Sequence, residues 1–561
     1  MDIKKAQKGL IDSKGRRKYF RLLDPKLVEK CPVVDAQAIK NKKKVLFIMP
    51  NFKWIDQDVN ALWDLVPWNL CQIASVIEDM AAEVKIIDSY KLNLSREELA
   101  RQIKEFKPDI VGLTVLMDQY ADVAPITTEI AKSISKDTIT VLGGVYAMSN
   151  PERAMKDKNL DYVVIGEGEF VFRELLGFHS GVSELPKRGI CFRKENGELE
   201  NRGHAEFIKN LDELPRPAYH LIDFLSYYSD SNDRRSVDSP VKYPYVRIIT
   251  ARGCPEKCSF CQVPSLQGSY FRARTPDHVC DEIEWLKKEY GIKSIIFDDD
   301  NMLTNMKRAK DLFRKMIERG LNMPWIYSSV AVFRLDEEMV DLMIEAGCEY
   351  INIAIEAGSE RVTRDIVLKP LDYEHAKKMV AYVQKKGLFV SGNFILGFPT
   401  ETWAEIRQTI AFAEELNVDY AKLFVAIPLR NTEMYDLAER TNSIIENTYD
   451  ADSSWSVGGL IKSDEWNADD LTVLRAYEWD RINFSSPKKI KKIADRMGIS
   501  IEELNKIRKR TMNNAITAIS SRGAPADDTN QAADITLVPS EKTSQKQSPK
   551  YVELPKLEMP N

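Results

Sequence analysis

The stretch YVRIITARGCPEKCSFCQVP, Tyr245 to Pro264, joins an apolar run to three closely spaced cysteines. YVRIIT, Tyr245 to Thr250, reads as a β-strand. The loop after it carries Cys254, Cys258 and Cys261, at spacings of four and three. Thiolates so spaced can converge on one metal group, and soft sulfur donors select iron–sulfur clusters or zinc. A structural zinc wants a fourth Cys or His close by. None follows before His278 and Cys280. On a four-iron cube, three ligands leave one iron open to a small molecule. Inert thiols or an incomplete zinc site are the bland alternatives.

Downstream, the strand opens a series. SIIFDDD (Ser294 to Asp300), WIYSSV (Trp325 to Val330), YINIAIE (Tyr350 to Glu356), FVSGNFILG (Phe389 to Gly397) and YAKLFVAI (Tyr420 to Ile427) alternate with amphipathic stretches. Those stretches are Asp277 to Tyr290, Lys307 to Glu318, Asp336 to Ala346, Tyr373 to Lys386 and Thr402 to Leu416. Six successive βα units predict a partial, TIM-like (β/α)6 barrel with its chemistry at the strands' C-terminal ends.

Upstream, a second alternation runs from Lys44 to about Gly177. Its apolar runs are Val45 to Met49, Val84 to Asp88, Ile110 to Val115, Ile139 to Gly144 and Tyr162 to Glu169. Ser95 to Phe106 opens with the capping pattern SREE. Continuous apolar strands between helices predict a parallel sheet covered on both faces. Five units make a doubly wound, flavodoxin-like (Rossmann-type) α/β domain that binds ligands at the strands' carboxyl ends. The chain thus divides into a lead-in (1–43), this domain (44–180), a linker region (181–240), the barrel (241–435), a helical region (436–523) and a disordered Pro/Ser/Thr/Gln/Lys-rich tail (524–561).

The 561 residues are 44% hydrophobic and 29% charged, as in ordinary globular proteins, and carry a net charge of −5. No run of about 18 apolar residues predicts a transmembrane segment, and the basic N-terminus lacks the apolar core of a secretory signal. The acidic balance argues against nucleic acid as a partner. Five of the eight cysteines are scattered. A long chain with scattered thiols predicts a reducing, cytoplasmic setting.

CPEKCSFC resembles the C-x-x-x-C-x-x-C motif of the radical S-adenosylmethionine (radical SAM) superfamily, with the aromatic Phe260 before its last cysteine. The resemblance implies a four-iron, four-sulfur (4Fe-4S) cluster on Cys254, Cys258 and Cys261. It implies that the open iron chelates S-adenosyl-L-methionine, which one electron cleaves to a 5′-deoxyadenosyl radical. Three further segments resemble the family's motifs in order. Asp298, Asp299 and Asp300 stand where a segment contacts the methionine amino group; Asp299 is the expected acceptor. The alternative there is a solvated turn or a divalent-metal site. EAGSERV, with Glu356 and Ser359, resembles the segment that reaches the ribose or carboxylate. GNFILGFP, with Asn393, Ile395 and Gly397, resembles the adenine-binding G-x-I-x-G-x-x-P motif, although its last proline would fall at Thr400 rather than Pro399.

The upstream domain resembles the cobalamin-binding domain that precedes many radical SAM proteins, the class B methyltransferase-like group. Thr114 and Leu116 match an S-x-L motif, and Gly143 and Gly144 a G-G motif, that line the slot for the nucleotide tail. Gly166, Glu167 and Gly168 offer backbone N–H groups at a helix start. The loops NFKW (Asn51 to Trp54) and MDQY (Met117 to Tyr120) would lie near the corrin. The D-x-H-x-x-G motif that supplies a cobalt-ligating histidine is missing, and no histidine precedes His179. A domain that has lost the cofactor is the alternative.

Together the resemblances imply cobalamin-dependent methyl transfer to an unactivated carbon. A radical cyclase or rearrangement enzyme, and a non-catalytic cobalamin or cluster sensor, stay open. The implied partners are a small-molecule or lipid-like substrate and an electron donor such as flavodoxin or ferredoxin. Arg430, Asn431 and Thr432 either face the pocket or cap a helix. The C-terminal region is expected over the barrel mouth, with Trp455, Trp466 and Trp479 as lining or core.

Overall fold

Five parallel strands form the heart of the first sheet: β1 (Lys44–Met49), β2 (Glu83–Asp88), β3 (Ile110–Thr114), β4 (Ile139–Gly143) and β5 (Tyr162–Val164). Their spatial order is β2-β1-β3-β4-β5. That is the flavodoxin-like order, and its switch point lies between β1 and β3. The computed structural model describes residues 34–55, 66–228, 236–239, 242–445 and 459–522. The first 33 residues of the expected lead-in, the expected tail and Trp455 lie outside the described residues. Every residue of β3 is buried, as a continuous apolar run covered on both faces requires. The helix Arg96–Phe106 starts at Ser95, which forms the capping box with Glu98.

The sheet continues where a linker was expected. β6 (Ile190–Arg193) and β7 (Leu199–Asn201) add to β5 as antiparallel strands. Three- and four-residue strands are too short for alternation to be read in sequence. Ile190 and Cys191 are fully buried by the pairing.

The second sheet holds β8 (Tyr245–Ile248), β11 (Ser294–Phe297), β12 (Trp325–Val330), β13 (Cys348–Glu356), β14 (Phe389–Leu396) and β15 (Tyr420–Val425). All pair in parallel, in chain order. Two short strands, β9 (Ala251–Arg252) and β10 (Arg272–Ala273), pair antiparallel and bracket the cysteine loop.

The barrel is open, so β15 is an edge that no further strand among the described residues pairs with. The helix Ala468–Asn483 lies along it. Asn483 accepts from the Ala421 N–H at 2.7 Å and donates to its carbonyl at 2.8 Å, as a neighbouring strand would. The C-terminal region therefore covers this edge, and Trp466 and Leu471 pack on Gly397 at the C-terminal end of β14, on the rim of the barrel mouth. The edge must be satisfied, and Asn483 does so. Trp466 and Trp479 are buried and donate to Glu401 O and Tyr420 Oη.

Candidate functional site at two sets of strand ends

The cysteine loop leaves β8 through a tight bend. Gly253 has φ +84°, and a Cβ there would sit 2.4 Å from the Tyr270 carbonyl oxygen, so only glycine fits. The loop is anchored through Cys254 N–H to Gly268 O (3.1 Å) and Ser259 N–H to Val367 O (2.9 Å). All three thiols are free and half-buried. Burial pushes each of them above the ordinary thiol range, Cys258 to about 11, with the nearby Lys369 ammonium pulling Cys258 back. Among the described residues no three Cys, His, Asp or Glu side chains gather around a single-ion position. Three sulfur donors from one loop suit an iron–sulfur cube rather than a closed zinc site.

The three aspartates after β11 have different tasks. Asp299 is buried and accepts from Thr250 N–H and Oγ1 (2.5 Å each) and Ala251 N–H (3.0 Å). Its carboxylate is thus engaged by the start of the cysteine loop. Asp298 pairs with Arg247 at 2.7 Å. Asp300 accepts from Gly253 N–H at 2.8 Å, lines a cavity, and is pushed by burial to about 6.

Glu356 ends β13 at a register shift and has φ +73°. A left-handed non-glycine residue costs about 1–3 kcal/mol and marks functional sites. Its carboxylate pairs at 2.8 Å with Lys369, and both side chains are buried. Burial alone would lower the Lys369 ammonium, but Glu356 holds it above its usual value. Lys369 follows a π-helical turn, Val362–Val367, a form that recurs at functional sites. Ser359 is buried beside it in sequence. Asn393 and Ile395 are half-buried on one face of β14. The Asn393 Oδ1 is buried without a hydrogen bond, as are Asn301 Oδ1 and Ser259 Oγ. Phe260 packs at a tilt against Phe398, with ring centroids 6.2 Å apart.

Gly397 has a packing reason of its own. A Cβ there would sit 2.2 Å from Leu471 Cδ1. The displaced proline is also explained: Thr400 has φ +70°, which a proline ring forbids.

A cavity of about 170 Å³, open to solvent, joins the two domains. Thr114, Gly143, Gly144, Gly166, Glu167 and Gly168 line it from the first sheet, and Ala251, Arg252, Asp298 and Asp300 from the barrel. A Cβ on Gly143 would meet nothing within 4 Å, so this glycine leaves open space. Gly144 is different: with φ +94°, its Cβ would lie 2.4 Å from the Val115 carbonyl oxygen. Thr114 Oγ1 accepts from Asn69 Nδ2 at 3.0 Å. Among the described residues no histidine lines the cavity. Leu116 is half-buried and is not among the wall residues. Of the described side chains of the NFKW and MDQY loops none lines the walls; the Phe52 and Tyr120 rings pack at a tilt, with centroids 4.8 Å apart. The Glu167 carboxylate binds Arg272 (2.8 Å), Arg252 (3.1 Å) and Ile208 N–H (2.6 Å). Sequence reading missed these arginines and Lys369. The adjacency of ARGC to one motif and of GEGE to the other was the available signal.

After β15, Thr432 caps the helix Glu433–Arg440 through Tyr435 N–H at 3.1 Å. The Arg430 carbonyl accepts from Gln262 Nε2 at 2.8 Å, beside Cys261. Asn431 Nδ2 donates to Ser149 O at 3.4 Å, so the turn links both domains.

A B12 binding domain model matches residues 59–176, and a Radical SAM superfamily model matches residues 248–413. An uncharacterised methyltransferase of Pyrococcus horikoshii is 34% identical over 381 residues, 68% of this chain and 80% of that protein. The cytidylyl-2-hydroxyethylphosphonate methyltransferase of Streptomyces wedmorensis is 30% identical over 448 residues, 72% of this chain and 82% of that one. The structure of TsrM, a radical SAM methyltransferase from Kitasatospora setae with cobalamin and a 4Fe-4S cluster bound, superposes with a TM-score of 0.61 at 18% identity. That match covers 85% of this chain and 100% of TsrM. The chain belongs to the radical S-adenosylmethionine enzymes that carry a B12-binding domain ahead of the barrel.

Proposed function

We propose that this enzyme is a cobalamin-dependent methyltransferase acting on an unactivated carbon of a small-molecule or lipid-like substrate. Cys254, Cys258 and Cys261 hold a four-iron, four-sulfur cluster in this reading. The observation that carries it is the single cavity shared by the glycine-lined slot and the barrel's strand ends. The donor set suits the cluster, and the open space at Gly143 suits a flat, bulky ligand. Those groups, when bound, supply a hydrogen-abstracting radical and a transferable methyl group.

The chain's own residues supply the positioning. Lys369 and Glu356 present a cation and a carboxylate near Cys258, suited to the two charged ends of an amino acid. The unsatisfied Asn393 Oδ1 is an acceptor for an exocyclic amine. Asp300, rather than Asp299, is the carboxylate on the cavity side, engaged by the single Gly253 N–H. Gly143, Gly144 and Thr114 border the tail slot. A flavodoxin- or ferredoxin-like donor in a reducing cytoplasm completes the reading.

The test is anaerobic reconstitution with iron and sulfide, then reduction with S-adenosylmethionine and hydroxocobalamin. Methyl transfer yields both S-adenosylhomocysteine and 5′-deoxyadenosine. Deoxyadenosine alone would point to cyclase or rearrangement chemistry, and neither product would point to a sensor.

A further inference from the structure

Four charged side chains are buried together between the two domains. Arg252 reaches Glu169 at 2.6 Å and Glu167 at 3.1 Å; Arg272 reaches Glu167 at 2.8 Å. Each is less than a tenth exposed. Two carboxylates face two guanidiniums, so the set is electrically neutral. Burial works against the charges, yet each partner holds the other ionised: Glu167 lies below the usual carboxylate range and Arg252 above its own. Arg272 also donates to the Ile208 and Gln267 carbonyls.

The placement matters more than the charge. Glu167 caps, and Glu169 opens, the helix Gly168–His179, and both line the cavity beside Gly166 and Gly168. Arg252 ends β9 and is followed directly by Gly253 and Cys254. Arg272 begins β10, the strand paired with β9. Arg252 also sits over the Trp68 ring, 6.0 Å from its centroid, on another cavity wall. A buried ion network contributes little net stability over apolar packing of the same volume. What guanidinium forks do provide is fixed orientation.

We infer that Arg252 is a positioning residue that ties the cobalamin slot of the first domain to the cysteine loop of the barrel, with Glu169 and Glu167 as its anchors. A displacement of the slot walls is then passed to the backbone at Cys254, and the reverse. The inference rests on the proposed cofactors. It adds a coupling between their two sites, which by linkage must be reciprocal.

The test uses the full chain, reconstituted with iron and sulfide, and hydroxocobalamin as the probe. Arg252→Gln leaves Glu169 buried without a partner and can fail to fold. The paired change Arg252→Met with Glu169→Gln keeps the charge balanced and leaves Glu167 with Arg272. That variant is expected to keep full iron content and a melting temperature near wild type. Its dissociation constant for hydroxocobalamin should rise about tenfold, within the usual range of site-to-site coupling. The electron paramagnetic resonance spectrum of its reduced cluster should change at equal iron content, which a purely structural role would not produce. Arg252→Lys should fall between the two. An unchanged affinity, or a changed affinity with an unchanged cluster spectrum, overturns the inference and leaves the proposed function standing. A wild-type chain that binds no hydroxocobalamin overturns both.

Discussion

The two domains contribute to the site by opposite means. On the first-domain side the space exists because side chains are missing: Gly143 leaves open volume and Gly144 and Gly166 let the backbone turn. On the barrel side the site consists of charged groups buried in pairs, Glu356 with Lys369 and Asp299 with the loop's N–H groups. The first recognises by shape, the second by charge. Substitutions should therefore fail differently: filling one half removes affinity without unfolding, and unpairing the other removes stability as well.

The largest effect is expected on the barrel side. Cys258→Ala should abolish the cluster's visible absorption and all deoxyadenosine formation, because two thiolates from this loop cannot hold the cube. Next is Lys369→Met, which strands the buried Glu356 carboxylate. Breaking one partner of a buried pair costs about 3–5 kcal/mol. Urea denaturation should show a loss of that order, and adding Glu356→Gln should recover most of it while activity stays low. If the single variant were as stable as wild type, the contrast drawn above would fail on this side.

The slot gives the complementary result. Gly143→Leu should weaken hydroxocobalamin binding by about tenfold or more, with the melting temperature unchanged, since its side chain enters open space. Gly144→Ala should instead cost about 1–3 kcal/mol of stability, because φ +94° and the Val115 carbonyl exclude a Cβ. Two adjacent glycines then separate ligand space from backbone need. Equal effects at both positions would show that the slot is a packing feature.

Much of this was legible in sequence for a physical reason. Parallel strands buried on both faces leave continuous apolar runs, so all eleven parallel strands of β1–β5 and the barrel were placed to within a few residues. The strands β6 and β7 were not, because their three or four residues carry no readable period. Residue types at motif positions were legible, but not what each side chain reaches. Asp299 and Asp300 are neighbours in the same motif, yet one is turned into the loop backbone and the other into the cavity. Glu167 was read as a lining residue at a helix start, and its carboxylate turned out to serve the domain junction. Such pairings join residues 85 and 105 positions apart, beyond any local pattern. Lys369 was missed for the same reason: a π-helical turn carries it back to Glu356, and a single sequence does not announce that turn.

The smallest expected effect lies under the end of β14, where the barrel half meets the C-terminal helices. Glu401 is buried, and its Oε2 accepts from Gly397 N–H at 2.6 Å and Phe398 N–H at 2.9 Å. Its Oε1 has no hydrogen bond, and burial raises the carboxyl from 4.5 to about 8. The folded state therefore keeps this proton to a higher pH than the unfolded chain does. Stability from the group is fully present below about pH 4.5 and is lost as pH rises through about 8. Glu401→Gln keeps an acceptor for both N–H groups and never ionises. Between about pH 5 and 9 its melting temperature should fall less than that of the wild type. If the two curves run parallel, Glu401 is already ionised in the fold, and this buried carboxylate must be counted with the barrel's compensated charges rather than as its neutral exception.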